Sequence, residues 1–163
     1  MVELKKAESK DIKLIAKLAD KIWHLHFPGI ISDEQIEFML GKMYTQEIIE
    51  KELNNGVIWK IIYYNDKPVG FISYSMINEY QCKVYKIYVL PKHQRKGIGR
   101  ISINDAIDYA KEGKAMELIL NVNRNNTKAI EAYKKYGFSI IREEDTEFYD
   151  KFILNDYLMG MSI

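Results

Sequence analysis

Apolar residues recur along the chain with two different periods, and the points where the period changes predict the order of the elements. The first third opens with a short strand and then shows helical spacing, with Ser9 or Asp11 as the first cap. Ser32, followed three residues later by Gln35, is a capping-box pattern that opens the next helix. This part of the chain therefore predicts one strand and three helices, over Val2 to Lys6, Ser9 or Asp11 to Trp23, Ser32 to Met43, and Gln46 to Asn54.

Branched and aromatic residues dominate the remainder, where two helical segments interrupt a series of strands. The predicted strands are Val57–Tyr64, Pro68–Ile77, Cys82–Leu90, Glu117–Val122, Phe138–Glu143 and Phe152–Met161, and the predicted helices are Gly97–Glu112 and Asn126–Tyr136. The strand, helix, strand, helix run that starts at Cys82 is a parallel crossover unit, whereas the flanking hairpins are antiparallel. We therefore predict the α/β (mixed α+β) class, with a mixed sheet of six or seven strands and helices on both faces.

Composition and charge narrow the class of protein. The 163 residues fit a single domain over residues 1–163, and 47% apolar with 29% charged residues is an ordinary globular balance. A formal net charge of +1 provides no overall field for nucleic acid or an anionic membrane. Cys82 is the only cysteine, which leaves no internal disulfide and no cysteine pair for zinc. With no secretory pattern and no membrane-length apolar run, we predict a cytoplasmic protein.

A glycine-containing basic loop, residues 91–100 with the sequence PKHQRKGIGR, lies between a predicted strand and a predicted helix. Backbone N–H groups at a helix start have no intrahelical partner, and the helix dipole adds positive potential, so this position favours an anion such as a pyrophosphate. Gly97 and Gly99 permit close approach of the backbone to the ligand. The positive charge of the loop comes from Lys92, Arg95, Lys96 and Arg100. A solvated basic turn is the alternative interpretation of this loop taken alone.

Two other phosphate-binding motifs fit the loop less well. A dinucleotide fingerprint needs a third glycine where this chain has Ser102, and the next strand offers Asn121 and Asn123 in place of an acid for a ribose hydroxyl. A nucleoside triphosphate P-loop needs Gly-Lys-Ser or Gly-Lys-Thr, which does not occur here.

A second cluster lies downstream and includes Asn126, Ala129, Tyr133, Gly137 and Phe138. Seven residues separate Asn126 from Tyr133, so on a helix they share a face about 10 Å apart along the axis. One extended ligand could contact both side chains. The alternative is that Asn126 caps the helix and Tyr133 packs in the core.

The two clusters together resemble the coenzyme A signatures of the GNAT superfamily of N-acetyltransferases. Gln94-x-x-Gly97-x-Gly99 is similar to the first signature, and Asn126-x-x-Ala129-x-x-x-Tyr133-x-x-x-Gly137-Phe138 is similar to the second. The resemblance is strongest from Val84 to Phe138, about a third of the chain. It implies a GNAT-like fold in which the two central parallel strands splay apart to admit pantetheine.

The resemblance implies acetyl-coenzyme A as cosubstrate, no metal, and a function for each matching residue. Backbone amides of the loop would hold the pyrophosphate, over Gln94, Arg95, Lys96, Gly97, Ile98, Gly99 and Arg100. Strand backbone would hydrogen-bond the pantetheine at Ile87, Tyr88 and Val89. Asn126 would contact the coenzyme chain, and Tyr133 would stand beside the thioester sulfur.

Acetyl transfer to a primary amine needs a neutral nucleophile, although a lysine-like amine has a pKa of about 10.4. It also needs N–H groups for the developing oxyanion and a proton for the leaving thiolate, for which Tyr133 is the predicted general acid. Many family members place a glutamate as base on the strand before the loop, where this chain has Tyr85 and Lys86. Glu79 is the nearest candidate base, and a water relay or a merely solvated carboxylate is the alternative.

The acceptor site in this superfamily is usually shaped by the first helices, which are aromatic here through Trp23, His24, His26, Phe27, Phe38 and Tyr44. Most of these residues are expected in the core. The segment from Glu34 to Leu53 is similar to the polyamine acetyltransferase branch, and the expected partners are a small-molecule or peptide amine, with a homodimer left open. The rival hypothesis is a noncatalytic module of the same fold that senses or binds coenzyme A. A nucleic-acid binder would rest on the basic loop alone, and no membrane partner is expected.

Overall fold

The computed structural model describes residues 1–163 and contains seven strands and five α-helices. The strands are β1 (Val2–Lys6), β2 (Ile58–Tyr64), β3 (Lys67–Met76), β4 (Gln81–Val89), β5 (Glu117–Asn123), β6 (Ser139–Phe148) and β7 (Phe152–Ser162). The helices are α1 (Ile12–His26), α2 (Asp33–Met43), α3 (Gln46–Asn54), α4 (Ile98–Glu112) and α5 (Thr127–Tyr136). Short 3-10 turns precede α1 and follow β4, at Ser9–Asp11 and Pro91–His93. None of the helices is long and apolar enough to span a membrane.

The strands form one mixed sheet in the order β1-β2-β3-β4-β5-β7-β6. Four of its pairings are antiparallel: β1 with β2, β2 with β3, β5 with β7, and β6 with β7. β4 and β5 are parallel, with Gln81–Val84 in register with Glu117–Leu120. The predicted mixed sheet and its parallel central pair are therefore confirmed.

The contacts divide the chain into two compact units, residues 1–75 with 86–104, and residues 76–85 with 105–163. The first unit contains the three N-terminal helices, and its core is aromatic around Trp23, Tyr44, Trp59 and Phe71, all 4% exposed or less. Ser32 caps α2 as predicted, because its hydroxyl accepts from the Gln35 amide at 3.1 Å. The prediction of a single domain over residues 1–163 remains a prediction.

The second unit contains α5 and the β6–β7 hairpin, and its core is aliphatic around Leu118, Leu120 and Met159. β6 continues to Phe148, five residues beyond its predicted end at Glu143. The added residues are polar except for Phe148 and are mostly exposed, so they show no apolar alternation that would predict a strand. Their backbone nevertheless pairs with β7 along the edge of the sheet.

Candidate functional site

The loop before α4 has the backbone shape that its glycine and basic residues predict. Arg95 and Gly97 have positive φ angles of 64° and 76°, a left-handed conformation that favours glycine at Gly97. α4 starts immediately afterwards, since the Ile101 amide donates to the Gly97 carbonyl at 3.1 Å. The amides of Ile98 and Gly99 precede this bond and have no carbonyl within the helix to bond, so they are available to an anion.

Side chains on the β2–β3 hairpin hold the loop and strengthen its positive potential. The Lys96 ammonium lies 4.5 Å from the centre of the Tyr64 ring, whose centre is 5.7 Å from that of His93. Partial burial, followed by the charges of Lys96, Lys92 and Lys67, lowers the pKa of His93. Sequence reasoning missed the contributions of Tyr64 and Lys67, because they reach the loop only through the hairpin.

The strand that leads into the loop, Ile87–Val89, is positioned by an unusually close approach of β3. A Cβ atom on Gly70 would lie 2.2 Å from the Tyr88 carbonyl oxygen, so only glycine fits there. The Gln94 side chain donates to the Val89 carbonyl at 3.3 Å and connects the loop to the strand end. The register of β4 with β5 ends at Val84, so Ile87–Val89 takes no part in that ladder.

Asn126 stands at the start of α5, where the Ile130 amide donates to its carbonyl at 3.1 Å. Its side chain makes no capping hydrogen bond, which excludes the interpretation that it merely caps the helix. The residue is 6% exposed, and its Oδ1 atom is buried without a hydrogen-bond partner. Because an unsatisfied buried acceptor is costly, this atom is suited to accept a hydrogen bond from a ligand.

Tyr133 lies two turns further along α5, with its ring centre 6.4 Å from that of Tyr136 and 5.9 Å from that of Phe138. Gly137 ends the helix in the left-handed conformation, with φ 111°, and the Phe138 amide then donates to the Tyr133 carbonyl at 3.0 Å. Burial, with a smaller effect of Tyr136, raises the pKa of Tyr133 well above that of a free tyrosine. Its hydroxyl is therefore protonated at neutral pH.

The residues considered for the base lie in very different surroundings. Glu79 is exposed in the bend between β3 and β4. Tyr85 is 38% exposed, whereas Lys86 is 7% exposed, with its ammonium 5.3 Å from the Trp59 ring centre and 5.7 Å from that of Tyr44. His24 bonds the Glu37 carboxylate and the Asp20 carbonyl on the surface of the first unit. None of the candidates considered from the sequence therefore brings a carboxylate to the middle of β4, although the Glu52 carboxylate accepts from the Trp59 indole at 3.0 Å in the cluster that surrounds Lys86.

Comparison with known proteins identifies the class to which this fold and these motifs belong. A sequence profile described as the Acetyltransferase (GNAT) family matches residues 21–138. The chain belongs to the GNAT family of acetyltransferases. It is 25% identical over 151 residues to the spermidine N(1)-acetyltransferase of Thermoplasma acidophilum, covering 90% of this chain and 91% of that one. It is 34% identical over 102 residues to a probable N-acetyltransferase of Drosophila melanogaster, covering 60% of this chain and 55% of that one.

A solved structure with a similar fold is the PaiA N-acetyltransferase of Thermoplasma acidophilum in complex with coenzyme A. Its TM-score is 0.85 at 23% sequence identity, and the alignment covers 100% of this chain and 99% of that one. The GNAT chain is thus an acyltransferase that uses acetyl-coenzyme A, and the predicted family, fold class and enzyme class are confirmed.

Proposed function

We propose that this acyltransferase moves the acetyl group of acetyl-coenzyme A directly to a primary amine of a small molecule or peptide, with Tyr133 as general acid. The observation that carries the proposal is the loop from Gln94 to Arg100, where a left-handed Gly97 opens α4 and leaves first-turn amides available to a pyrophosphate. The proposal places the protein in the cytoplasm, in keeping with a single cysteine that is buried.

Further residues fit the remainder of the cosubstrate. Ile87–Val89 is held by Gly70 beyond the β5 register, which supports pairing of its backbone with the amides of pantetheine. The buried Oδ1 of Asn126 supports a hydrogen bond to the coenzyme chain. These assignments require no metal.

The reaction needs a proton at the sulfur. When the neutral amine attacks the thioester carbonyl, a C–N bond forms and the C–S bond breaks, which leaves a thiolate. The raised pKa of Tyr133 keeps its hydroxyl protonated and able to donate to that thiolate. The same shift makes the phenol a weaker acid, so we expect it to recover its proton promptly from the newly acylated nitrogen.

The proposed acceptor is a class of compound, the primary amines. A relative that matches nine-tenths of the chain is named for acetylating spermidine, which makes polyamines the first amines to test. Other small amines, amine-bearing antibiotics and peptide amines are the further candidates. A noncatalytic coenzyme A sensor is the second candidate function, because the middle of β4 carries Tyr85 and Lys86 and no carboxylate.

The test is release of free thiol from acetyl-coenzyme A in the presence of each amine of this panel. Gly99→Glu adds bulk and negative charge beside the phosphate, so it should abolish cosubstrate binding in calorimetry and turnover in the assay while the melting transition stays cooperative. Turnover by the wild type, with none by Gly99→Glu, supports the enzyme hypothesis. Binding of coenzyme A without turnover of any amine would favour the sensor, and equal affinity in wild type and Gly99→Glu would remove the loop from the site.

A further inference from the structure

β7 carries a partly buried carboxylate, that of Asp156. The Asp156 side chain makes no hydrogen bond and no ion pair, although its own carbonyl accepts from Arg124 at 3.0 Å. Asp156 pairs across the sheet with Asn123 of β5 and with Glu144 of β6. Paired residues share a face of the sheet, so these three side chains project together at the carboxyl end of β5.

The second carboxylate on this face has the opposite environment. Glu144 accepts from the Asn121 amide group at 2.8 Å and from Arg142 at 2.7 Å. The Asn121 hydrogen bond, with Arg142, lowers the pKa of Glu144, which therefore stays ionised. Burial raises the pKa of Asp156 to about 6, and the charges that act on it come from Arg124, Glu144, Lys83 and Asp145.

Two neighbouring carboxyl groups whose pKa values are driven apart by their surroundings commonly divide the work of an acid–base reaction. The ionised, hydrogen-bonded group provides fixed charge. The group with a pKa near neutrality can take up and release a proton during turnover. The arrangement on β6 and β7 has both properties. It lies beside the end of β5, where Asn123 pairs with Asp156 and the Asn126 amide at the start of α5 donates to the Asn123 carbonyl at 2.9 Å.

We propose that Asp156 is the general base of the acetyl transfer and that Glu144 holds the ammonium group of the acceptor beside it. The inference rests on the proposed function. The Asp156 carboxylate takes one proton from the ammonium group, and the neutral amine attacks the thioester carbonyl. The nitrogen loses a second proton as the amide forms, and this proton neutralises the charge of the departing thiolate. The Asp156 carboxyl then releases its proton to water. The acceptor is accordingly an amine that arrives as a cation.

The pH profile of kcat/KM for the best amine of the panel tests this assignment. With Asp156 as base, the ammonium form itself is the substrate, so kcat/KM should rise up to about pH 6 and then level off. In Asp156→Asn only the rare neutral amine in solution can react. At pH 7 the variant should lose about 10²-fold or more, and its kcat/KM should keep rising about tenfold per pH unit toward the amine pKa of about 10.4.

Four comparisons separate a catalytic role from a structural one. Glu147→Gln removes an exposed charge from the same hairpin and should change nothing, whereas Glu144→Gln should raise KM more than it lowers kcat. Asp156→Glu keeps a carboxylate and should retain the levelled profile at a reduced rate, even if Asp156→Asn folds poorly. Coenzyme A affinity should be the same in Asp156→Asn as in the wild type.

The possible failures are distinguishable. A wild type that acetylates no amine overturns the proposed function and this assignment together. A wild type that turns over while Asp156→Asn keeps its rate and its levelled profile overturns the role of Asp156 alone.

Discussion

At the scale of single residues, the proposed chemistry depends on atoms that the fold places without a hydrogen-bond partner. Asn126 Oδ1 is buried without a donor, and the Asp156 carboxylate is partly buried without a hydrogen bond. The sequence predicted Asn126 through its motif. Asp156 has no motif, and only the pairing of β7 with β5 and β6 shows that it lies beside Asn123 and Glu144. Such a residue could not be identified from spacing along the chain.

Tyr133→Phe tests the proposed general acid while it keeps the ring and its contacts with Tyr136 and Phe138. Loss of the hydroxyl removes the proton donor for the thiolate, so kcat should fall by about 10²-fold or more with coenzyme A affinity unchanged. The deficit should shrink with thioesters of more acidic thiols, because their leaving groups need less protonation. Steady-state kinetics with acetyl-coenzyme A and with a thioester of a more acidic thiol measures this deficit. Equal turnover in the variant and the wild type would show that Tyr133 is only a core aromatic.

At the scale of elements, prediction succeeded where apolar periodicity is bounded by caps and turns. α3 was predicted from Gln46 to Asn54 and has those ends, because Thr45 accepts from the Ile48 amide and Gly56 turns left-handed after it. The outer half of β6 was missed, since an exposed polar edge strand carries no periodic signal. The 3-10 turn at Pro91–His93 was also missed, because its bonds are local and its length is three residues.

Gly70→Ala tests whether the close approach of β3 to β4 supports cosubstrate binding. The added Cβ would meet the Tyr88 carbonyl oxygen at 2.2 Å, so the backbone of Ile87–Val89, which is proposed to bind pantetheine, must move. We expect a lower melting temperature and weaker coenzyme A binding in calorimetry.

Gly41→Ala is the matched control, because this exposed glycine in α2 has open space around its Cβ position. Removing a glycine from a helix should stabilise the protein by roughly 0.5–1 kcal/mol and leave binding unchanged. Wild-type coenzyme A affinity in Gly70→Ala would show that the spacing of these strands does not matter for the cosubstrate.

At the scale of the whole molecule, the proposed base has a cost in stability. A carboxyl group whose folded-state pKa lies above its unfolded value of 3.8 favours the native state only while it is protonated. Its contribution is fully present below the unfolded pKa and is lost as the pH rises through about 6. At neutral pH Asp156 is therefore ionised although it is partly buried, which lowers the free energy of unfolding. An uncharged residue at this position would remove that cost. Retention of the carboxylate is expected at a catalytic position, where activity and stability conflict.

Asp156→Asn should therefore stabilise the fold at neutral pH while it impairs the reaction. The difference between 3.8 and about 6 would correspond to about 3 kcal/mol for a fully buried group. Solvent screens this partly exposed carboxyl, so we expect a smaller gain, which is a rise of a few degrees in melting temperature at pH 7.5. Near pH 4 the wild-type carboxyl is protonated in the folded state, so the two proteins should melt within about a degree of each other. Thermal melts at both pH values measure this, with Glu147→Gln as the control for removing one negative charge from the hairpin.

A difference in melting temperature between wild type and Asp156→Asn that is the same at pH 4 and pH 7.5 would contradict the raised pKa. Stabilisation together with full activity would instead make Asp156 a strained residue without a catalytic role.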